Sequence, residues 1–107
     1  MKIDTRSFAR KPVRGRALIV LPNGAKWPAK PKDLSKDGIS VVTSEPLAMD
    51  VKCTVALETV CGSEIVHLMA QAKVIYCILS GTEGFRAGLQ FTQIDSANNA
   101  VLAQLLA

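Results

Sequence analysis

The stretch KPKDLSKDGISVV (Lys30–Val42) changes character halfway along. Its first part carries charges and a hydroxyl. Its second part, GISVV, is a β-branched apolar run that reads as a strand. Asp33, Ser35 and Gly38 stand at i, i+2 and i+5 across the change. Such a set makes a turn by itself, an Asx-type bond at the aspartate followed by a glycine with positive φ. It also offers a ligand a carboxylate, a hydroxyl and a backbone position without Cβ, since residues two apart on an extended segment project from one side. The stretch alone leaves both readings open.

Outward from it, the chain alternates strands with turn signals. VRGRALIVL (Val13–Leu21) puts Val13, Gly15, Ala17, Ile19 and Leu21 on one face. Asn23-Gly24 follows, the strongest short hairpin signal. AKWPAKPKDL then returns as a strand, with Pro28 and Pro31 placing it at an edge or an irregular bend, because proline gives the ladder no donor. After GISVVTS, EPLAMD reads as a loop. VKCTVALETV sets Val51, Cys53, Val55 and Leu57 on one face. CGSE turns the chain. IVHLMAQAKVIYCIL is too long for one ideal strand, so it should bend or carry a bulge. SGTEG turns again, and FRAGLQF closes the series with Phe85, Ala87, Leu89 and Phe91 facing one way. DSANNAVLAQLLA offers Asp95 or Ser96 as an N-cap and Val101, Leu102, Leu105 and Leu106 as a helical stripe. So short a helix must dock on the sheet to persist. About six short antiparallel strands with regular turns favour a closed barrel or a sandwich.

A chain of 107 residues suffices for one domain, which hides roughly two-thirds of its unfolded surface. The net charge of +4 leans toward anionic partners without the basic block of a dedicated nucleic-acid binder. Cys53, Cys61 and Cys77 are odd in number and none forms CxxC, which argues against a disulfide framework and for a reducing cytoplasm. One histidine, His67, and no Cys/His cluster leave zinc without support. The N-terminus has no apolar h-region, and no run nears the roughly 18 apolar residues of a membrane span. GxSxG, P-loop, GxGxxG and HExxH are all absent. His67 sits in an alternating strand, and no nucleophile stands near it in a recognisable pattern. No enzymatic activity is expected. Trp27 reads as core packing, with an exposed stacking surface as the alternative.

The remaining signal is a basic N-terminal segment. RSFAR sets Arg6 and Arg10 four apart, and Lys11, Arg14 and Arg16 follow. Alone, it reads as a solvated arm. Only Ile3 and Phe8 could anchor it, so residues up to about Lys11 are expected to be disordered until a ligand orders them. Taken in order, RxxxR and then, one hairpin later, Asp-x-Ser-x-x-Gly, the sequence resembles the PilZ domain family, bacterial receptors for cyclic di-GMP. FRAGLQFTQID before a short helix is similar to the family's last strand, where a Gly-x-x-Phe element precedes the helix. The resemblance runs from about Thr5 to the C-terminus.

The resemblance implies a six-stranded antiparallel β-barrel with a C-terminal α-helix over residues 13–107, preceded by a flexible basic arm over residues 1–12. It implies ligand contacts at Arg6, Arg10, Asp33, Ser35 and Gly38, with Lys11 and Arg14 as further candidates. RKPVR (Arg10–Arg14) also satisfies RxxxR. In the family the second arginine sits shortly before the first strand, which favours Arg6 and Arg10. Some members carry an arginine just before the motif and bind a stacked ligand pair; Thr5 stands there here, which leans toward one ligand. The residue types suit the chemistry. An arginine fork matches guanine N7 and O6 and also pairs with phosphate. A carboxylate at Asp33 accepts from guanine N1–H and N2–H₂. Asp37 in the same stretch is expected to be solvated.

The implied protein is a stand-alone, monomeric, cytoplasmic receptor for cyclic di-GMP, without cofactor or metal. It orders its arm on binding and signals to a downstream protein, with no DNA, RNA or membrane partner. One alternative is a PilZ-like adaptor that ignores nucleotide. Another is a small basic barrel for single-stranded RNA, which needs exposed aromatic platforms. Aromatics make up only 5% of this chain, and those of FRAGLQF look inward.

Overall fold

The computed structural model of the protein describes residues 9–107. Arg6, and the first eight residues of the expected arm, lie outside the described residues. The strands are β1 (Lys11–Pro12), β2 (Arg16–Val20), β3 (Lys26–Ser35), β4 (Gly38–Thr43), β5 (Lys52–Cys61), β6 (Glu64–Ser80) and β7 (Gly84–Gln93). One helix, α1, covers Ser96–Leu106. The sheet order is β1-β3-β2-β5-β6-β7-β4, and β4 pairs back onto β3. Strands β2 to β7 therefore form a closed antiparallel ring of six, as the turn spacing and the resemblance imply. The two-residue β1 is an addition, paired on the outer edge of β3 opposite Asp33 and Leu34.

Each deviation from an ideal strand has a local cause. β3 gives Lys26–Ala29 to β2 and Lys30–Ser35 to β4. Pro28 lies where β3 is paired only with β2, and Pro31 where it is paired only with β4, so neither missing N–H interrupts a second ladder. The register slips between Pro31 and Asp33, the irregular bend that the prolines announce. β6 runs for 17 residues, giving its first half to β5 and its second to β7. It slips against β7 between Gln71 and Ala72 and again between Val74 and Tyr76, the expected relief for so long a strand. β2 starts later than the apolar alternation suggests. Gly15 has φ +126°, and a Cβ there would lie 2.0 Å from the Glu58 carbonyl oxygen. It is a joint between β1 and β2, not a core position.

Inward-facing alternate residues fill the ring. Ile19, Leu34, Ile39, Leu57 and Leu89 are each fully enclosed, and burying a side chain of that size contributes about 2 kcal/mol. Trp27 is half-buried and packs against this core. The helix closes one side. The Asp95 carboxylate accepts from the Asn98 amide at 2.8 Å and caps it, and that bond holds the Asp95 carboxyl below its ordinary range. Asn98 Oδ1 accepts from Met69 N at 2.8 Å and ties the first turn to β6. Leu102 is buried, and Val101, Leu105 and Leu106 pack on the core, so the apolar stripe read from the sequence is the docking face. All three cysteines are free. Burial raises the Cys53 thiol. No helix among the described residues is long and apolar enough to cross a membrane.

Candidate functional site

The β3–β4 hairpin answers how one short stretch serves both a turn and a surface. Ser35 pairs with Gly38, and Lys36-Asp37 is the two-residue connection. Ser35 is 1% exposed. Its hydroxyl donates to Asp37 Oδ1 at 2.5 Å, with Gly38 O at 3.3 Å as a second acceptor. Asp37 is thus half-buried and bonded, not solvated as expected. Its carbonyl also accepts from Phe91 N at 2.8 Å, which extends the β4–β7 seam into the turn. Gly38 does not have positive φ. It is needed for another reason: a Cβ there would sit 2.3 Å from the Leu89 carbonyl oxygen on β7. Ser35 and Gly38 therefore shape the wall, and Asp33 is the member of the set that reaches its rim.

Asp33 faces two guanidiniums. Arg10 Nη1 donates to Asp33 Oδ1 at 2.8 Å. Arg86 Nη2 donates to Asp33 Oδ2 at 3.0 Å and to Ser40 Oγ at 3.2 Å. β1 delivers Arg10, because the Lys11↔Leu34 and Pro12↔Asp33 pairs run the preceding residue alongside β3. Val13 N donates to Lys32 O at 3.0 Å and fixes the other end of that contact. Two guanidiniums against one carboxylate leave an excess of one positive charge, a setting for an anion.

Of the candidates read from the sequence, Arg10 and Asp33 are in direct contact. Lys11 is exposed next to them, and its Nζ donates to Ala107 O at 2.6 Å at the helix end. Arg14 is exposed and stands outside this cluster. Among the described residues there is no group of side chains fit to hold a metal ion.

Arg86 was not singled out by sequence reasoning. FRAGLQF places it on the outward face, between Phe85 and Ala87, but alternation says nothing about which partner it meets. The register does. Arg86 lies two residues before Gly88, which pairs with Ser40, which pairs with Asp33. A second charged group lies on β2, β5 and β6. Arg16 and His67 both hold the Glu58 carboxylate, at 2.7 and 3.2 Å. The Arg16 bond, then that of His67, keeps the Glu58 carboxyl below its usual range. His67 is 72% exposed. A hollow of about 730 Å³ over Leu18, Pro28, Ala56 and Met69 borders this second group and contains neither Arg10 nor Asp33.

No curated protein is matched by sequence. The structure of Bacillus subtilis Inhibitor of motility (MotI/DgrA) superposes with a TM-score of 0.81 at 16% identity, covering 99% of this chain and 51% of that one. This chain thus spans about half the length of that structure. The PilZ domain of Escherichia coli YcgR, solved with c-di-GMP, gives a TM-score of 0.68 at 15% identity, over 96% and 89% of the two chains. The Borreliella burgdorferi PlzA protein, in complex with c-di-GMP, gives 0.68 at 18% identity, over 100% and 41%. At these identities the likeness establishes the fold. The PilZ domain model matches residues 4–107, nearly the whole chain, and the protein belongs to the PilZ domain family.

Proposed function

We propose that this PilZ domain is a non-catalytic receptor for cyclic di-GMP that signals to a protein partner. The observation that carries the reading is the 2.8 Å contact of Arg10 with Asp33 at the rim of the ring, in a domain that matches the family over residues 4–107. The arginine of one motif and the carboxylate of the other, 23 residues apart, meet at one place. Each suits a different part of the ligand. Asp33 accepts from guanine N1–H and N2–H₂, and Arg10 pairs with phosphate or with the N7 and O6 edge. Ser35 and Gly38 act by shaping the hairpin that presents Asp33. Arg6 completes the arginine pair from the arm, over residues 1–12, Lys11 adds positive charge beside it, and Arg14, outside the Arg10–Asp33–Arg86 cluster, adds to the basic field at longer range. The relatives solved with c-di-GMP support the ligand class.

The ligand exchanges an internal ion pair for an external one. Arg10 releases Asp33 and takes the dinucleotide, which then bridges arm and ring and presents a new surface to the partner. Calorimetry with cyclic di-GMP, against GTP and cyclic di-AMP, tests this. Saturable binding of cyclic di-GMP alone is the expected result, reduced by Asp33→Ala together with the preference for guanine. A parent protein that gives no binding heat at 100 μM-scale ligand points to the adaptor reading, in which the wall of the ring meets a protein directly, since such an affinity is weaker than about −5.5 kcal/mol.

A further inference from the structure

We propose that Arg86 is a positioning residue of this site. It holds the Asp33 carboxylate in the orientation that accepts a guanine edge, while Arg10 occupies Oδ1 until the ligand takes its place. The inference rests on the cyclic di-GMP reading and assigns a role that neither sequence motif contains.

The two arginines hold Asp33 in unequal ways. Arg86 lies within β7, paired with Val42 of β4 on one side and Ile78 of β6 on the other, so two ladders fix its backbone. Its Nη2 bridges Asp33 Oδ2 and the hydroxyl of Ser40, and Ser40 is 1% exposed. Ser40 is also the cross-strand partner of Asp33. The guanidinium is therefore pinned between a buried hydroxyl and the carboxylate it orients. Arg10 precedes a two-residue strand and makes a single bond to Oδ1; the two side chains are about equally exposed, so the difference lies in their backbone anchoring and in the second bond of Arg86.

A carboxylate has about four lone-pair sites. Asp33 can keep Arg86 and still accept both guanine donors once Arg10 leaves. The charge balance holds through the exchange, because Arg10 trades a carboxylate for a ligand phosphate. Without Arg86, Ser40 Oγ loses its donor and Asp33 loses its fixed side. The carboxylate then has to be ordered by the ligand itself, and part of the binding free energy goes to that ordering.

The test is calorimetry of the parent, Arg86→Gln and Ser40→Ala with cyclic di-GMP and cyclic di-AMP, with ligand-free crystal structures of Arg10→Gln and Arg86→Gln. Arg86→Gln should lower cyclic di-GMP affinity by about tenfold to a hundredfold, the range of hydrogen bonds to charged groups. It should also shrink the preference over cyclic di-AMP, which a merely structural role leaves unchanged. Added to Asp33→Ala, it should have little further effect. In the ligand-free structures the Asp33 carboxylate should keep its place in Arg10→Gln and leave it in Arg86→Gln. Parental affinity and preference in Arg86→Gln, additivity with Asp33→Ala, or an undisturbed carboxylate each overturns the proposal. Should Arg86→Gln not fold, Ser40→Ala removes only the anchor and must show the same losses at smaller size. A parent that binds no cyclic di-GMP overturns the ligand reading and the recognition role together; the two ligand-free structures still decide whether Arg86 places Asp33.

Discussion

The β3–β4 hairpin and the segment around Arg10 hold the two halves of the proposed binding site by different means. Ser35 and Gly38 are buried; the Ser35 hydroxyl is hydrogen-bonded within the turn, and Gly38 is pressed against β7 with no room for a Cβ. Arg10 and Lys11 are exposed, joined to the rest by side-chain tips and by the two-residue β1. Residues of the first kind define a shape, and those of the second meet what the shape admits. Motif membership therefore does not imply a shared role: substitutions in the hairpin should be read out first as stability, and those near Arg10 as affinity.

The largest effect should come from Gly38→Ala. The new Cβ meets backbone, which cannot swing aside, so the seam between β4 and β7 must open. A loss of about 3 kcal/mol is expected, the upper end for overpacking, measured as a lowered denaturant midpoint. Unchanged stability would erase the contrast between the two regions. Arg10→Ala should do the reverse. Folding stability should stay within about 0.5 kcal/mol, while cyclic di-GMP affinity falls by about 2–3 kcal/mol, on the order of a hundredfold. Calorimetry and a thermal melt on the same sample separate the two quantities.

Ser35 and Asp37 sharpen the comparison. If the Ser35 hydroxyl serves the turn, Ser35→Ala and Asp37→Ala should destabilise to similar degrees, because each removes one side of the same bond. A typical net value is about 1 kcal/mol. A large loss of affinity from Ser35→Ala at unchanged stability would return that hydroxyl to the ligand. Glu58 supplies a control away from both regions. Its carboxyl is held below the usual range by Arg16 and His67. The associated stability is thus present above the ordinary glutamate pKa and is lost as pH falls through the lower, folded-state value. Acid titration of the parent should show a larger loss below about pH 4.5 than Glu58→Gln does, with ligand affinity near neutrality equal in both. The smallest effect belongs to Lys11→Ala. It breaks one exposed contact to Ala107 O and should change stability by at most about 0.5 kcal/mol.

Much of the architecture was legible because it rests on local rules. Alternation marked the strands, Asn23-Gly24 marked the first hairpin, the prolines marked the bend in β3, and the length of β6 announced its slips. Asp95 and the leucine stripe marked the helix and its docking face. What escaped depends on contacts between distant segments. Gly15 looked like one more member of an alternating face, and only the approach of Glu58 shows that the strand starts after it. Asp37 looked like a solvated turn residue, and only the burial of Ser35 turns it inward. Arg86 was one outward arginine among several, and its meeting with Asp33, 53 residues away, follows from register across two seams.

Ring closure has a consequence for assembly. β3 is the stave that closes the ring, bonded to β2 over one half and to β4 over the other, and Asp33 lies beside the slip between them. Arg86 reaches Asp33 only after β7 has docked on β4. A chain emerging from synthesis can form the β2–β3, β3–β4 and β5–β6 hairpins early, since their loops are short. It cannot join Asp33 to Arg86 until the last strand is in place. The Asp33–Arg86 pair is thus absent from every form in which β7 has not yet docked on β4, although Arg10 can meet Asp33 as soon as β1 lies along β3.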